Sequence, residues 1–367
     1  MASAKKTSPT LSDAAYGGRL FIKFGAIALV VLMIGRVVLN MSVNLYKFLN
    51  PPKAPPPTYG FGTLPPLEFP STGPTIASYT LQTKTGMLPK LQTQLPVYFM
   101  PKQTIGVLSL DEAKKQAVAL GFAFAPEQTS TTTYRWKRNS PLPATLDIDI
   151  VSKHLTMKVD WASDPGFLSQ KSLPPQQSAI TQVRETLQEA GLSAIDMATS
   201  EAKISFLRAS STSYIPAVSL SEADFIQVNI WRSPIRETYS LVRPDPLQGN
   251  AHFIFSGSRD TNSSIVQADF TYAPIDYERF ETYGLIAPQT AWQTLQAGKG
   301  FVAHIDAGVQ QATVRNVYLA YYESDTPQRY LQPVYVFVGD QNFFAYVPAV
   351  AVSAVSVAAP PSQSSNR

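Results

Sequence analysis

The sequence predicts an α+β fold: one N-terminal transmembrane helix, then two or three modules, each with an amphipathic helix packed on an antiparallel sheet. Three observations support this fold class. A single long apolar run lies near the N-terminus, a proline-rich segment follows it, and the remaining chain alternates between helical and strand-like hydrophobic periodicity.

The apolar run is Phe21–Leu39. At 1.5 Å per residue its nineteen residues span about 28 Å, close to the hydrocarbon thickness of a bilayer. Lys23 and Arg36 lie near its ends, where long basic side chains reach the headgroups. Apolar residues then recur at helical spacing as far as Leu49. We therefore predict a cytoplasmic tail over 1–19, a transmembrane helix with an interfacial extension over 20–49, and the lipid bilayer as partner of Phe21–Leu39.

A cleaved signal peptide is the alternative interpretation of this run. A signal peptide ends at a small-residue cleavage site, and the residues after Arg36 contain no A-x-A pattern, which favours a retained anchor. Four Lys/Arg residues precede the apolar core and three follow it. This bias predicts a cytoplasmic N-terminus and an extracellular C-terminal domain, in a single-pass protein of the cell membrane.

Charge and cysteine content narrow the function classes. The formal charge is +4, but residues 1–53 carry +6 and the remainder carries −2. The basic charge belongs to the anchor region, so a nucleic-acid partner is not expected. The chain has no cysteine, which excludes disulfides and thiolate chemistry. An exported domain without disulfides is more typical of a bacterial surface protein than of a secreted animal protein.

Residues 50–74 are rich in proline. Such composition favours extended polyproline II geometry, and we predict a semi-rigid linker over this range.

Three α+β modules are predicted after the linker, at 75–170, 171–273 and 274–350. Their helices begin near Ser109, where Ser109 and Glu112 form a capping-box pattern, after Pro175, and at Pro288. Each helix ends at a glycine and is followed by segments rich in β-branched and aromatic residues. The C-terminal segment 351–367 contains small and polar residues and is predicted to be disordered.

Residues that could carry chemistry are sparse. His154, His252 and His304 are far apart in the chain, and no metal-ligand, nucleophile or phosphate-loop motif is present. Asp147 and Asp149 are two residues apart on a predicted strand, so both side chains lie on the same face, about 7 Å from each other. This spacing suits the two catalytic carboxylates of a glycosidase, but it equally suits the solvent-exposed face of a strand. The sequence therefore predicts a protein that is not an enzyme, with no catalytic residues, cofactor or metal.

Aromatic residues cluster in the last module. Adjacent aromatics on a strand point to opposite faces, so one of each pair is expected to be exposed or covered by another element. The alternatives are a partner-binding surface and a cover formed by the helix at 289–297 or a neighbouring module. The candidate interface residues are Tyr322, Tyr335, Phe337, Phe344 and Tyr346.

The last module resembles a known type of domain. Its helix 289–297 with Trp292, its tyrosine-rich strand 317–322 and its hairpin PVYVFVGDQNFFAYV, turning at Gly339, are similar to the PepSY-type module and to the C-terminal part of YycH/YycI-like proteins. Those are single-pass surface proteins, with the N-terminus inside, that regulate a sensor histidine kinase through membrane and extracellular contacts. The resemblance implies a non-enzymatic regulatory role and assigns no functional residues.

Three functions are consistent with these patterns. The first is a membrane-anchored extracytoplasmic protein that binds another membrane or envelope protein and regulates a membrane sensor or envelope enzyme. The alternative is a cell-wall or glycan-binding surface protein. A third is a structural subunit of an envelope complex that uses the anchor helix as its contact.

Overall fold

The computed structural model describes residues 11–49, 55–106, 108–169 and 172–351. The chain forms two compact units, 1–56 and 57–367. Residues 1–10 of the predicted cytoplasmic tail and 352–367 of the predicted disordered tail lie outside the described residues.

Among its described residues, the first unit contains one helix, α1 (Leu11–Leu49). Its segment Lys23–Tyr46 has a mean hydropathy of 2.2 and is fully solvent-exposed. This segment is long and apolar enough to cross a membrane, and a signal sequence near the N-terminus has the same properties. The helix begins earlier than predicted and, as predicted, continues without a break to Leu49.

The second unit consists mainly of strands. In chain order its elements are β1 (Ser78–Leu81), β2 (Gln94–Phe99), α2 (Ser109–Ala119), β3 (Glu127–Gln128), β4 (Thr133–Arg138), β5 (Ala144–Asp149), β6 (Leu155–Val159), α3 (Gln176–Glu189), α4 (Ile195–Ala198), β7 (Ala202–Ser210), β8 (Ser213–Pro216), β9 (Phe225–Ile230), β10 (Leu241–Val242), β11 (Ala251–Ser256), α5 (Thr261–Ser264), β12 (Ile265–Phe270), β13 (Asp276–Gly284), α6 (Pro288–Gln296), β14 (Phe301–His304), β15 (Gln311–Tyr322), β16 (Tyr330–Gly339) and β17 (Phe344–Pro348).

Nine of these strands form one antiparallel sheet in the order β3-β4-β5-β6-β12-β11-β9-β7-β8. Its core contains Trp136, Leu146 and Phe253 from the strands, together with Ala117 of α2 and Val183 of α3. The predicted modules 75–170 and 171–273 therefore share one sheet and one core, joined by the pairing of β6 with β12. Hydrophobic periodicity identifies the strands but carries no information about which edges pair.

The other eight strands form a second sheet. Its main path is β1-β15-β16-β17-β14, while β10 pairs with β15, and β2 pairs with both β13 and β16. β1 and β10 run parallel to β15, unlike the antiparallel pairing predicted for every module. β1, β2 and β10 come from the ranges predicted for the first two modules, so the predicted boundaries do not follow the sheets. The mixed α+β class is confirmed.

Residues 57–74, which we call the strap, pack against the eight-stranded sheet. The side chain of Leu64 is completely buried. The ring of Phe69 stacks on Phe301 at 5.1 Å between centroids and lies 4.7 Å from Tyr322. Residues 57–74 of the predicted semi-rigid linker are therefore part of the folded second unit. Proline favours extended backbone, and an extended chain can lie along a sheet as readily as it can span a gap.

The helix ends illustrate which local signals hold. α3 and α6 end before Gly191 and Gly298, whose φ angles of +67° and +70° favour glycine, as predicted. The capping box predicted for α2 is wrong, because Ser109 is the first helical residue. Its hydroxyl oxygen accepts a hydrogen bond from the N–H of Gly106 at 2.8 Å.

Candidate binding cleft at the junction of the two sheets

The chain connects the two sheets through residues 231–250, which we call the crossover. β9 and β11 are neighbours in the nine-stranded sheet. The crossover between them leaves that sheet, contributes β10 to the eight-stranded sheet, and returns. Because the crossover is fixed in both sheets, the side chains along it have defined positions at their junction.

A buried ion cluster holds the start of the crossover. Arg232, whose side chain is fully buried, places Nε 2.7 Å from Asp196 Oδ2 and Nη1 2.8 Å from Glu323 Oε1. Nη1 also donates to the carbonyl oxygen of Ala273 at 2.7 Å, and Glu323 accepts from Asn250 Nδ2 at 2.9 Å. Burial alone would lower the pKa of Arg232, but the two carboxylates raise it overall. The cluster therefore links α4 and the crossover to the end of β15.

A second buried arginine holds the far end of the crossover. Arg243 Nη2 lies 2.7 Å from Asp325 Oδ1, and Nη1 donates to the carbonyl oxygen of Gly249. The Tyr346 hydroxyl donates to the carbonyl oxygen of Arg243 at 3.0 Å. Both ends of the crossover are thus bonded to residues of the eight-stranded sheet or of the loop after β15.

The turn between these arginines adopts an uncommon backbone. Arg236 and Glu237 are consecutive non-glycine residues with φ angles of 52° and 57°. Ile235 and Tyr239 close the turn with two backbone hydrogen bonds of 2.8 and 3.0 Å. Left-handed backbone is unfavourable for such residues and persists only where surrounding contacts impose it.

A cavity of about 680 Å³ lies beside the crossover, within the size range of ligand-binding clefts. Three half-buried aromatic side chains line it: Trp231 from the crossover, Tyr318 from β15 and Phe344 from β17. Its exposed charged side chains are Glu201 and Lys203. The buried Arg232 and Arg243 also line it, so the cavity combines aromatic surface with charged groups of both signs.

A second cavity of about 590 Å³ adjoins the first. The two cavities share Ser240 and Tyr318 among their lining residues, and we refer to them together as the cleft. Leu91 and Tyr239 give the second cavity an apolar wall, and Lys90 is the charged side chain that lines it.

No strand pairs with residues 315–320 of β15 on one of its edges, and Tyr318 and Leu319 of this stretch line the cleft. On this edge β1 pairs with Gln311–Val314 and β10 pairs with Tyr321–Tyr322. The N–H of Tyr321 donates to the carbonyl oxygen of Ser240, so the backbone of Leu319, two residues earlier, faces the same edge. Among the residues that the structure describes, none forms a hydrogen bond with the Leu319 N–H or C=O on this edge.

The neighbouring position on this edge is half satisfied. The N–H of Val317 donates to Asn316 Oδ1 at 2.9 Å. The C=O of Val317 faces the same open edge and has no partner within the described part of the chain. Among the residues that the structure describes, these three backbone groups of β15 have no hydrogen-bond partner, although buried backbone groups are normally paired.

The predicted interface residues are mostly in the core. The side chains of Tyr322, Tyr335, Phe337 and Tyr346 are completely buried, so the expectation of a partner-binding surface is wrong for these four. For these four residues the other predicted alternative holds, in which further elements of the chain cover the aromatic side chains. Phe344 is half-buried and lines the first cavity, so it alone of the five remains at a candidate site.

Three elements provide the cover. The helix α6, predicted at 289–297, places Trp292 5.8 Å from Phe337, and the strap covers Tyr322 through Phe69. The Tyr335 hydroxyl donates to a backbone carbonyl after β13, at 2.6 Å, and burial raises its pKa to about 12. The sequence did not predict that the strap covers this sheet, because the apolar residues of the strap are interspersed with prolines.

The carboxylate pair is engaged in structural contacts. Asp147 accepts two hydrogen bonds from Arg135, at 2.6 and 2.7 Å. Asp149 accepts from the N–H groups of Val151 and Ser152, at 2.9 and 2.7 Å. Burial raises the pKa of Asp149, but the hydrogen bonds from neighbouring residues lower it by more than burial raises it. The pKa of Asp149 therefore lies below its usual value. A glycosidase acid needs a raised pKa, so this pair does not suit that role.

Two of the histidines form side-chain hydrogen bonds in the nine-stranded sheet and its loops. His252 is buried, with Nδ1 2.9 Å from Asn229 Oδ1, and burial lowers its pKa. His154 lies between the hydroxyl groups of Thr271 and Thr156. Within the described residues, no group of three or more His, Cys, Asp or Glu side chains is placed to hold a metal ion.

Comparison with known proteins gives little further guidance. No protein-family model matches the chain, and no curated protein does. A crystal structure of an uncharacterized protein from Eubacterium rectale is similar at 11% identity, over 71% of this chain and 84% of that chain, with a TM-score of 0.36. A likeness of this size identifies neither a family nor a function.

Proposed function

We propose that the chain is a single-pass bacterial membrane protein whose second unit binds another membrane or envelope protein through the cleft. In this proposal α1 anchors the chain, the second unit lies outside the cytoplasm, and binding regulates a membrane sensor or envelope enzyme without catalysis by this chain. The observation that carries the proposal is the cleft itself, with Trp231, Tyr318 and Phe344 half-buried along it.

Two physical arguments support binding at this position. Half-buried aromatic side chains offer large contact area at low entropic cost and are enriched where proteins bind partners. The buried pairs of Arg232 and Arg243 hold the crossover against both sheets, so the cleft is formed before a partner arrives, which reduces the ordering cost of binding.

A glycan partner is the second candidate. Sugars stack on aromatic rings and bond to amide and hydroxyl groups, and the first cavity adds Gln177 and Ser200 to its aromatic residues. This candidate concerns binding only, since Asp147 and Asp149 are occupied by other contacts.

Site-specific crosslinking in intact cells tests the proposal. A photoreactive amino acid is placed at Gln177, which is exposed and lines the cleft, and, as the matched control, at Lys115 of α2, which is exposed elsewhere. We expect a discrete polypeptide adduct at position 177 that is missing at position 115. The same adducts at both positions, or none, would contradict the proposal, and a glycan adduct would favour the second candidate.

The absence of native cysteine makes the topology directly measurable. Lys115→Cys should react with a membrane-impermeant maleimide in intact cells, and the chain should stay in the membrane pellet after an alkaline carbonate wash. Reaction only after lysis would overturn the orientation, and release into the wash would overturn the anchor.

A further inference from the structure

We propose that the open edge of β15 receives one residue of an extended segment of the partner protein, running parallel to β15 and carrying an acidic side chain. This inference rests on the proposed function and specifies the kind of partner. In strand addition, main-chain hydrogen bonds supply affinity and alternate side chains supply specificity.

The free backbone groups define the geometry. In a parallel ladder, one residue donates its N–H to the strand residue before its opposite number and accepts from the residue after it. A residue opposite Tyr318 would therefore donate to the Val317 C=O and accept from the Leu319 N–H, satisfying two free groups at once. Its direction follows from β1 and β10, which both run parallel to β15 on this edge.

The flanking strands also limit the length. β1 ends opposite Val314 and β10 begins opposite Tyr321, so the open stretch is residues 315–320. At about 3.3 Å per residue this stretch spans roughly 20 Å. A long strand does not fit between the two, whereas a short extended segment that enters and leaves through the cleft does.

The lining residues define the side chains that suit the segment. Side chains alternate across a strand, so the residue opposite Tyr318 presents its side chain on the Tyr318 face, which lines both cavities. The adjacent residues face the side of Leu319, near the apolar Leu91 and Tyr239. Lys90 is the charged residue lining this cavity and is exposed, which favours an acidic side chain beside the apolar ones.

A defined peptide provides the test. The probe is a labelled heptapeptide of alternating Val and Thr with Glu at both ends, and its control is the same peptide N-methylated at every amide between the two Glu residues. Binding to the purified full chain in detergent is followed by fluorescence anisotropy, and exchange of the Leu319 amide by hydrogen–deuterium exchange. We expect the N-methylated peptide to bind at least about tenfold more weakly, because it lacks the donors, and the Leu319 amide to be protected by the probe alone.

Variants separate the edge from other surfaces. Lys90→Glu should weaken binding of the Glu-ended probe and strengthen binding of a Lys-ended version. Thr238→Cys carrying a bulky maleimide should block binding, because Thr238 lines the cleft, whereas Lys115→Cys carrying the same label should bind like the unmodified chain. Equal binding of the N-methylated peptide, or no Leu319 protection at about 1 mM probe, would overturn the inference.

Two outcomes identify other occupants. If a chain ending at Ala351 binds the probe at least about tenfold more tightly than the full chain, residues 352–367 compete for the edge and the partner assignment is overturned. If position 177 captures a protein while the Leu319 amide stays unprotected in that complex, the proposed function stands and strand addition is wrong.

Discussion

Removing the Glu323 carboxylate should weaken the junction of the two sheets severely. The Glu323→Ala variant leaves the Arg232 guanidinium, which is fully buried, with Asp196 as its remaining carboxylate partner. Breaking a buried ion pair costs about 3–5 kcal/mol, because the remaining charge cannot regain its hydration. We expect a loss near 3 kcal/mol in the free energy of unfolding, since Asp196 retains part of the compensation.

The assay is urea unfolding of the full chain in detergent, followed by tryptophan fluorescence. The matched control is Asp340→Ala, which breaks a 2.7 Å ion pair with Arg315. The side chains of Arg315 and Asp340 are 49% and 48% exposed, unlike the buried pair of Arg232 and Glu323 at 2.8 Å. Solvent screens that pair, so its loss should cost far less than the loss of the Glu323 carboxylate. The triple variant Arg232→Met, Glu323→Leu and Asp196→Asn should recover much of the loss, because it removes both carboxylates together with the guanidinium that pairs with them. Equal costs for Glu323→Ala and Asp340→Ala would refute the reasoning.

Three further outcomes are expected. Leu64→Ala should cost about 2–5 kcal/mol, because it empties a completely buried site, while Thr63→Ala on the exposed side of the strap should cost under about 0.5 kcal/mol; similar small costs in urea unfolding would mean that the strap is not docked. Burial lowers the pKa of His252 below 6.5, so as the pH falls the unfolded chain binds a proton at this histidine before the folded chain does, and the free energy of unfolding should decline below about pH 6.5. His252→Gln should flatten this decline between about pH 7 and 5. An unchanged slope in the variant would contradict this expectation. Removal of residues 1–49 should move the chain from the membrane pellet to the soluble fraction, and continued pelleting would point to another membrane contact.

Local structure was largely predictable from the sequence. Helical periodicity and the glycines at the helix ends predicted α3 and α6. The alternation of apolar and acidic residues in the sequence ATLDIDI predicted β5, in which the apolar side chains are buried and the aspartates are half-buried. β13 is an outer strand with exposed residues such as Phe280, so it lacks the apolar alternation from which a strand is predicted. Pro333 within β16 would argue against a strand, but it lies opposite Tyr321, whose N–H bonds to Ser240 on the other side, so no bond to β15 is lost. Towards the β17 side, the Ala349 C=O that a residue with an N–H could bond instead accepts from the N–H of Ile286.

The candidate site was not predictable in the same way. Of its aromatic residues, Phe344 was among the predicted interface residues, whereas Trp231 and Tyr318 were not. Their role depends on the crossover passing from one sheet to the other, and local periodicity does not report such a passage. The ion cluster is equally hidden, since Arg232 and Glu323 are 91 residues apart in the chain, and each resembles an ordinary surface charge when the sequence is considered alone.

The order of synthesis conflicts with the order of assembly in the second unit. β1 and β2 are made early, but their partners β13, β15 and β16 lie near the other end of the chain. The Tyr321 hydroxyl, for example, bonds to a backbone carbonyl 225 residues upstream. Folding that depends on such distant contacts is slow. β1 and β2 therefore remain unpaired until the last strands have been synthesised. The eight-stranded sheet forms only when nearly the whole polypeptide is present, and a nascent chain that ends before β15 cannot complete it.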